Sequence, residues 1–232
     1  MNVTDIITIS FAPSFMKDIW SYTVYIDLFH LIYYPYAKRF DMREALPLRD
    51  FLWKAKRGPQ IIPPKDFGML VAETGCGKDW KVVDAGTGSG FLAMMLANIG
   101  CKVYTYEIDE EFYQVAKKNI RNSGIGNIFL KKADITKWID EKNVDMVTLD
   151  MKDPEKVIKN AYSSLKYRGW LVIYSLHVEQ LQRVWRELRK YDFSMITILE
   201  NLQREWQIEG NTFTRPMTHM LAHTGFLTFA RK

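Results

Sequence analysis

From about residue 75 onward the chain alternates short β-branched runs with stretches of helical period, and that alternation leaves little choice of fold. The strand-like runs are KVVDA (81–85), KVYTYE (102–107), NIFLKK (127–132), VDMVTLD (144–150) and WLVIYS (170–175). Between them, GFLAMMLANIG, DEEFYQVAKKNIRNSG and PEKVIKNAYSSLKYRG carry helical spacing and close on glycine, as helix ends often do. Repetition of this kind predicts an α/β domain built on a doubly wound parallel sheet. The last part of the chain breaks the pattern. FSMITILENLQREWQIE and MLAHTGFLTFARK are two strand-like runs with no helix between them, which predicts a C-terminal antiparallel hairpin at the sheet edge. Residues 1–45 do not follow the alternation and read as a small β-rich N-terminal element. The segment LPLRDFLWKAKRG reads as a helix leading into the main domain of 46–232, with Gly58-Pro59 ending it.

With 47% hydrophobic and 25% charged residues, the chain is composed like an ordinary soluble globular protein, which excludes wholesale disorder. A formal charge of +5 suits a polyanionic partner such as RNA. Cys76 and Cys101 have no metal-ligand spacing, and no secretion signal precedes them. They read as reduced thiols of a cytoplasmic protein, with a bridge between them as the alternative. The stretch IWSYTVYIDLFHLIYYPY (19–36) contains Asp27 and His30 and is rich in β-branched and aromatic residues. It reads as strand or packing material and not as a membrane anchor.

The first strand runs into VVDAGTGSG, which places Gly86, Gly88 and Gly90 between a strand and a helix. Glycine there permits positive φ and close approach of a ligand to the backbone. The spacing G-x-G-x-G differs from the G-x-G-x-x-G of dinucleotide sites, and no P-loop Lys-Ser/Thr pair follows. The second strand ends in Glu107, where a carboxylate can accept both hydroxyl hydrogens of a ribose. Asp134 follows the third strand, placed to accept an adenine amino hydrogen. An adenosine-bearing cofactor without a pyrophosphate is S-adenosylmethionine, and the expected architecture is then a Rossmann-like class I methyltransferase.

Three further blocks narrow the reading: KRGPQIIPPKDFG ahead of the loop, VVDAGTGSGFLAMMLAN, and RPMTHMLAHTGFLTFARK at the C-terminus. Together they resemble the tRNA adenine-N1 methyltransferases that form 1-methyladenosine in the T-loop, over most of the chain from about residue 47. The resemblance implies a homotetramer carrying one cofactor per subunit, and no metal is expected from the sequence. It implies methylation of adenosine 58 of tRNA, and also of the neighbouring adenosine 57 in some archaeal members. Asp150 matches the family's aspartate after the fourth strand, which acts at the target adenine. Gly86, Gly88, Gly90, Glu107 and Asp134 match its cofactor positions, with Gln60 as a further contact. Arg57, Arg215, His219 and His223 are candidates for RNA or subunit contacts. The chain departs from the family pattern at Pro63, where a tyrosine is usual, and in MKDPEK, which lacks the usual prolines and tryptophan. Its N-terminal region also does not resemble the family's small β-barrel.

The chemistry fits these groups. N1 of adenine has an in-plane lone pair and needs no strong base before attack, only alignment and a stabiliser for the cation that forms. A carboxylate accepting from the exocyclic amino group provides both, and can afterwards take its proton. Two other readings remain at this level: a methyltransferase for a small molecule or protein carboxylate, and a catalytically silent RNA-binding subunit. Lys65 and Asp66 also admit a purely structural role, with Asp66 near the N-cap of a helix. His223 admits one as a hydrogen-bonded core histidine, and Asp153 reads as a cap ahead of Pro154.

Overall fold

The structure, a computed structural model, describes residues 47–58, 61–209 and 213–232. The expected N-terminal element, His30 and Gln60 lie outside the described residues. A seven-stranded sheet runs in the order β3-β2-β1-β4-β5-β9-β6. Its strands are β1 (Lys81–Ala85), β2 (Lys102–Glu107), β3 (Ile128–Lys132), β4 (Val144–Leu149), β5 (Leu165–Ser175), β6 (Met195–Glu200) and β9 (Phe226–Arg231). The first five pair in parallel, and β9 pairs antiparallel with both β5 and β6. The order reverses at β1 and β4, the point where ligands of open α/β sheets bind.

Alternation along each strand sends side chains to two cores. One face presents Val82, Val103, Met146, Val172 and Phe229 to α1 (Leu48–Lys54), α2 (Pro64–Thr74) and α3 (Phe91–Asn98). The other presents Val83, Val147, Leu171 and Ile173 to α5 (Ile158–Ser164) and α6 (Val178–Leu188). α3 is buried on nearly every side, consistent with its FLAMMLAN sequence. α4 (Glu110–Ser123) has the opposite character: its Asp109 cap accepts from the Phe112 N–H at 3.0 Å, and Gly124 ends it in the left-handed region.

Three local expectations are corrected. The helix read across PEKVIKNAYSSLKYRG stops at Ser164, after a 3-10 turn over Pro154–Val157, and Leu165 already pairs with Val144 as β5 begins. Gly169 therefore does not cap a helix. It lies inside β5, where a Cβ would come within 3.1 Å of the Lys166 and Val144 carbonyl oxygens. The run FSMITILENLQREWQIE is not one strand: β6 ends at Glu200, and β7 (Trp206–Glu209) forms a separate hairpin with β8 (Phe213–Pro216). The antiparallel partner of β6 is β9, which inserts between β6 and β5. Finally, α2 is capped by Pro63 without a side-chain bond, so Asp66 sits inside its first turn and does not cap it.

Cys76 and Cys101 are both buried free thiols. Cys101 donates to the Gly77 carbonyl at 3.2 Å. The neighbouring Cys101 side chain lowers the Cys76 thiol against the effect of burial, while the same contact and burial push Cys101 up. Among the described residues, no helix is long and apolar enough to cross a membrane, and no cluster of metal-ligating side chains occurs.

Candidate active site

Two loops at the C-terminal ends of β1 and β4 meet across the switch point. Gly86, Gly88 and Gly90 all have positive φ (83°, 55° and 83°), so the G-x-G-x-G spacing is required by backbone conformation. At Gly86 the constraint is doubled, because a Cβ there would collide with the carbonyl oxygen of Asp150. The cofactor loop and the acid-bearing loop are thus packed backbone to backbone, with the Asp150 N–H also donating to Ala85 O at 2.9 Å. Gly86 makes room for the chain itself rather than for a ligand. Gly90 is the N-cap of α3.

Glu107 lies beneath this loop and is nearly buried. Its Oε2 accepts from the Gly88 N–H at 2.8 Å, and its Oε1 accepts from the Ile108 and Asp109 N–H groups at 2.9 Å each. A carboxylate oxygen has two acceptor sites, so Oε2 keeps one for a ligand hydroxyl. Asp134 forms a local turn, its Oδ1 accepting from the Thr136 N–H and hydroxyl at 3.0 and 2.6 Å. Its second oxygen has no hydrogen bond among the described residues, and the turn holds its carboxyl below the usual range.

A pocket of about 560 Å³ opens at this point, within the range of small-molecule sites. Gly86, Thr87, Gly88 and Ser89 form its floor with Phe91 and Leu92 at the start of α3. Asp150, Met151 and Lys152 line it from the loop after β4, Ile61 and Ile62 from the segment before α2, and Tyr174, Leu176 and His177 from the end of β5. Backbone donors, a carboxylate and apolar walls in one cavity suit an amphipathic ligand such as S-adenosylmethionine together with a planar base. Glu107 and Asp134 are not part of its lining.

Asp150 is half-buried, and its carboxylate makes no hydrogen bond among the described residues. Desolvation first, and then repulsion from Asp84, push its carboxyl up to about 7. Asp84 is itself fully buried in β1. It accepts from Thr105 Oγ1 at 2.7 Å and Thr148 Oγ1 at 2.6 Å, and burial raises its carboxyl as well. The single Thr105 hydroxyl hydrogen is committed to Asp84, so Thr87 donates in the 2.6 Å contact between Thr87 and Thr105 and ties the cofactor loop to the same buried acid.

The Pro-Lys-Asp and His-Thr-Gly segments, which the sequence reading singled out, meet each other in space. Lys65 Nζ donates to Asp66 Oδ1 (2.7 Å), Asn201 O (2.5 Å) and Thr224 Oγ1 (2.7 Å), using all three of its hydrogens. Asp66 Oδ2 accepts from Thr224 Oγ1 at 2.7 Å and from the Tyr174 hydroxyl at 3.0 Å. Gly225 is required beside them because a Cβ would enter the Tyr174 ring. His223 is not a core histidine: it is exposed ahead of β9, with Nδ1 2.5 Å from Glu200 and Nε2 3.0 Å from the Leu176 carbonyl oxygen. These contacts raise its imidazole, the Glu200 bond most. Asp153 occupies the expected cap position before Pro154, but its side chain pairs with Lys156 at 2.8 Å instead of a backbone N–H. Arg57, Arg215 and His219 are exposed, Arg57 lying 5.2 Å over the Trp53 ring. None of these three lines the pocket.

Gln180 gave no signal in the sequence. It is buried in α6, where its Oε1 accepts from the Leu176 N–H at 3.0 Å. Its Nε2 donates to Met151 O at 2.8 Å and Lys152 O at 3.2 Å. It therefore fixes the loop after Asp150 to the end of β5. A lone glutamine in an amphipathic helix is ordinarily solvated, so only the fold reveals this function.

Comparison with known proteins agrees with the geometry. A family model described as the tRNA methyltransferase complex GCD14 subunit matches residues 52–213. The chain is 36% identical over 212 residues to the tRNA (adenine(57)-N(1)/adenine(58)-N(1))-methyltransferase TrmI of Methanocaldococcus jannaschii, covering 78% of this chain and 75% of that protein. It is 30% identical to the tRNA (adenine(58)-N(1))-methyltransferase TrmI of Thermus thermophilus, covering 80% and 74%. The crystal structure of the tRNA (m1A58) methyltransferase TrmI from Aquifex aeolicus superposes with a TM-score of 0.75 at 26% identity, covering 81% of this chain and 76% of that one. A SAM-dependent O-methyltransferase from Thermotoga maritima superposes equally well, with a TM-score of 0.75 at 31% identity, covering 81% and 71%. A glycine loop bonded to Glu107, an acid held beside it after β4, and this breadth of likeness have one reading: the chain belongs to the GCD14 family of S-adenosylmethionine-dependent tRNA methyltransferases.

Proposed function

We propose that this protein methylates N1 of adenosine 58 in the T-loop of tRNA, with the neighbouring adenosine 57 as a second candidate target. The observation that carries this reading is the Asp150 carboxyl, which lies at the pocket with no hydrogen-bond partner among the described residues and a midpoint raised to about 7. An acid left so is suited to accept a hydrogen from an adenine amino group, to strengthen that bond as positive charge develops on the base, and then to take the proton. The chemistry supplied by bound S-adenosylmethionine is an electrophilic methyl group.

The residues divide accordingly. The Gly86–Gly88 backbone and Glu107 hold the cofactor's amino-acid and ribose portions, and the free oxygen of Asp134 accepts from its adenine amino group. Gln60 contributes a further contact, as the family resemblance implies; of the described residues nearby in sequence, Gly58 donates its N–H to Ser89 Oγ at 2.6 Å and Ile61 lines the pocket. Tyr174, Leu176 and His177 provide an aromatic and apolar wall for the base in place of the family's usual tyrosine and tryptophan. Since the Watson–Crick edge is the reacting edge, the target must leave its stack, and exposed Arg57, Arg215, His219 and His223 supply RNA or subunit contacts during that step. The exposed apolar side chains Leu202, Trp206, Ile208 and Leu221 suit contact with further copies of the chain, while a homotetramer acting in the cytoplasm is what the family resemblance implies.

The test is to incubate the protein with methyl-labelled S-adenosylmethionine and unmodified tRNA, then map the label. Label at N1 of adenosine 58, with or without adenosine 57, is expected. Transfer to a small molecule or a protein carboxylate, with none to tRNA, would overturn the assignment.

A further inference from the structure

The doubly wound plan calls for a helix between β3 and β4 to cover that end of the sheet, because parallel strands are ordinarily buried on both faces. Residues 133–143 form turns and irregular chain instead. They cover Tyr106, whose hydroxyl donates to Glu141 at 2.5 Å, but leave the start of β2 and β3 open. On that open face Tyr104 and Phe129 are direct cross-strand partners, stacked with centroids 5.0 Å apart and an interplanar angle of 21°. Phe129 is 43% exposed. Three ammonium groups surround the pair: Lys81 and Lys102 each 5.5 Å from the Tyr104 centroid, and Lys131 at 5.7 Å. Lys102 is also 5.3 Å from the Phe129 centroid.

The local charges are unevenly balanced. Lys131 is paired with Asp140 and Glu141. Asp145 is engaged by Lys166 and by the Lys81 N–H. Among the described residues, neither Lys81 nor Lys102 pairs its ammonium group with a carboxylate; Lys81 donates only to the Lys142 carbonyl oxygen at 3.1 Å. Two stacked rings on a sheet face beside uncommitted cations match what unpaired RNA requires: a π surface for a base and flexible cations for the phosphates on either side. An aliphatic protein partner would strip water from the lysines without pairing their charge, and a free anion would have no use for the rings.

We propose that this face is a second RNA-binding surface. An unpaired nucleotide of the tRNA stacks on Phe129 and Tyr104, and Lys81 and Lys102 swing outward to its flanking phosphates. The platform lies roughly 10 Å along β2 from Glu107, at three residues of about 3.3 Å each. A tRNA whose T-loop occupies the pocket therefore reaches it with an adjoining segment. The inference rests on the tRNA reading above.

The test is binding of fluorescently labelled unmodified tRNA by the full chain at several salt concentrations, alongside methyl transfer to the same tRNA. Phe129→Ala is expected to weaken binding and raise KM roughly tenfold with kcat unchanged, and Phe129→Trp to restore both. Lys102→Glu is expected to weaken binding and make the salt dependence shallower by roughly 0.7 in slope, the value for one single-stranded phosphate contact. Unchanged affinity and slope in both variants, with a wild-type protein that methylates tRNA, would overturn the platform and leave the activity standing. A change of oligomeric state on sedimentation, without loss of tRNA affinity, would overturn it in favour of contact with a second copy. Platform-dependent tRNA binding without methyl transfer would sink the activity and uphold the platform. A wild-type protein that does not bind tRNA would sink both.

Discussion

Asp66 and Asp150 are two aspartates at the C-terminal side of one sheet, and the fold treats them oppositely. Asp66 is almost completely buried yet fully engaged, with bonds from Lys65, Tyr174 and Thr224 joining α2 to β5 and to the segment before β9. Asp150 has more contact with solvent but no hydrogen-bond partner among the described residues, and a neighbouring buried acid in place of a cation. A satisfied acid locks a structure. An unsatisfied one at a pocket is held in readiness for a ligand, at some cost to the fold.

Breaking the first member should have the largest effect. Asp66→Ala leaves the Lys65 ammonium, with its side chain 9% exposed, without its charge partner. Loss of about 3–5 kcal/mol is expected, the usual cost of breaking a buried pair, read as a fall in the urea midpoint. Asp150→Asn should do the reverse. We expect kcat to fall at least roughly 100-fold while cofactor affinity stays within about twofold, and Tm at pH 8 to rise by about 2–4 °C as an uncompensated charge is removed. A fall in Tm would show that Asp150 has a structural partner.

The pH dependence sharpens the same contrast. Because the Asp150 midpoint is raised, its carboxylate destabilises the fold increasingly as pH climbs from the ordinary carboxylate range through about 7. Catalysis needs that carboxylate, so kcat/KM should drop toward tenfold per pH unit below about 7 while thermal stability improves. Asp84→Asn removes the repelling charge and should move the midpoint of the rate profile downward.

Gln180→Ala should cost about 1–3 kcal/mol, since it leaves the Leu176 N–H and two carbonyls of the loop after Asp150 unpaired. Its signature is a reduced kcat with little change in cofactor affinity, measured by calorimetry and steady-state rates. The smallest effect is expected at His223. Its raised imidazole makes the pair with Glu200 stabilising below the ordinary histidine midpoint, with loss as pH rises through the raised one. The pair is exposed, so His223→Ala should change stability by no more than about 1 kcal/mol at pH 6 and less at pH 8.

Much of this was legible in the chain because it depends on local rules. Strand and helix periods placed the five parallel strands within a residue or two, except that β5 starts five residues early at Leu165. Gly86, Gly88 and Gly90 were legible because positive φ has so few side-chain solutions. The extent of β5 was misread because YSSLKYRG keeps a helical rhythm, while pairing with Val144 draws Leu165 into the sheet. The break after Glu200 was hidden because Leu202, Trp206 and Ile208 stay in phase with Ile196 and Ile198, although Glu200 and Arg204 interrupt the series.

By itself, then, the sequence determined the doubly wound class, the glycine loop, and which acids end which strands, since each of these follows from backbone conformation and side-chain period. Only the tertiary structure decided which acid is satisfied and which is free. That distinction turns on partners supplied from 158 residues away, as Thr224 is for Asp66, or not supplied by any described residue, as for Asp150. It also decided that Gly86 exists to admit the Asp150 carbonyl, because a steric conflict between two loops becomes visible only once both are in place.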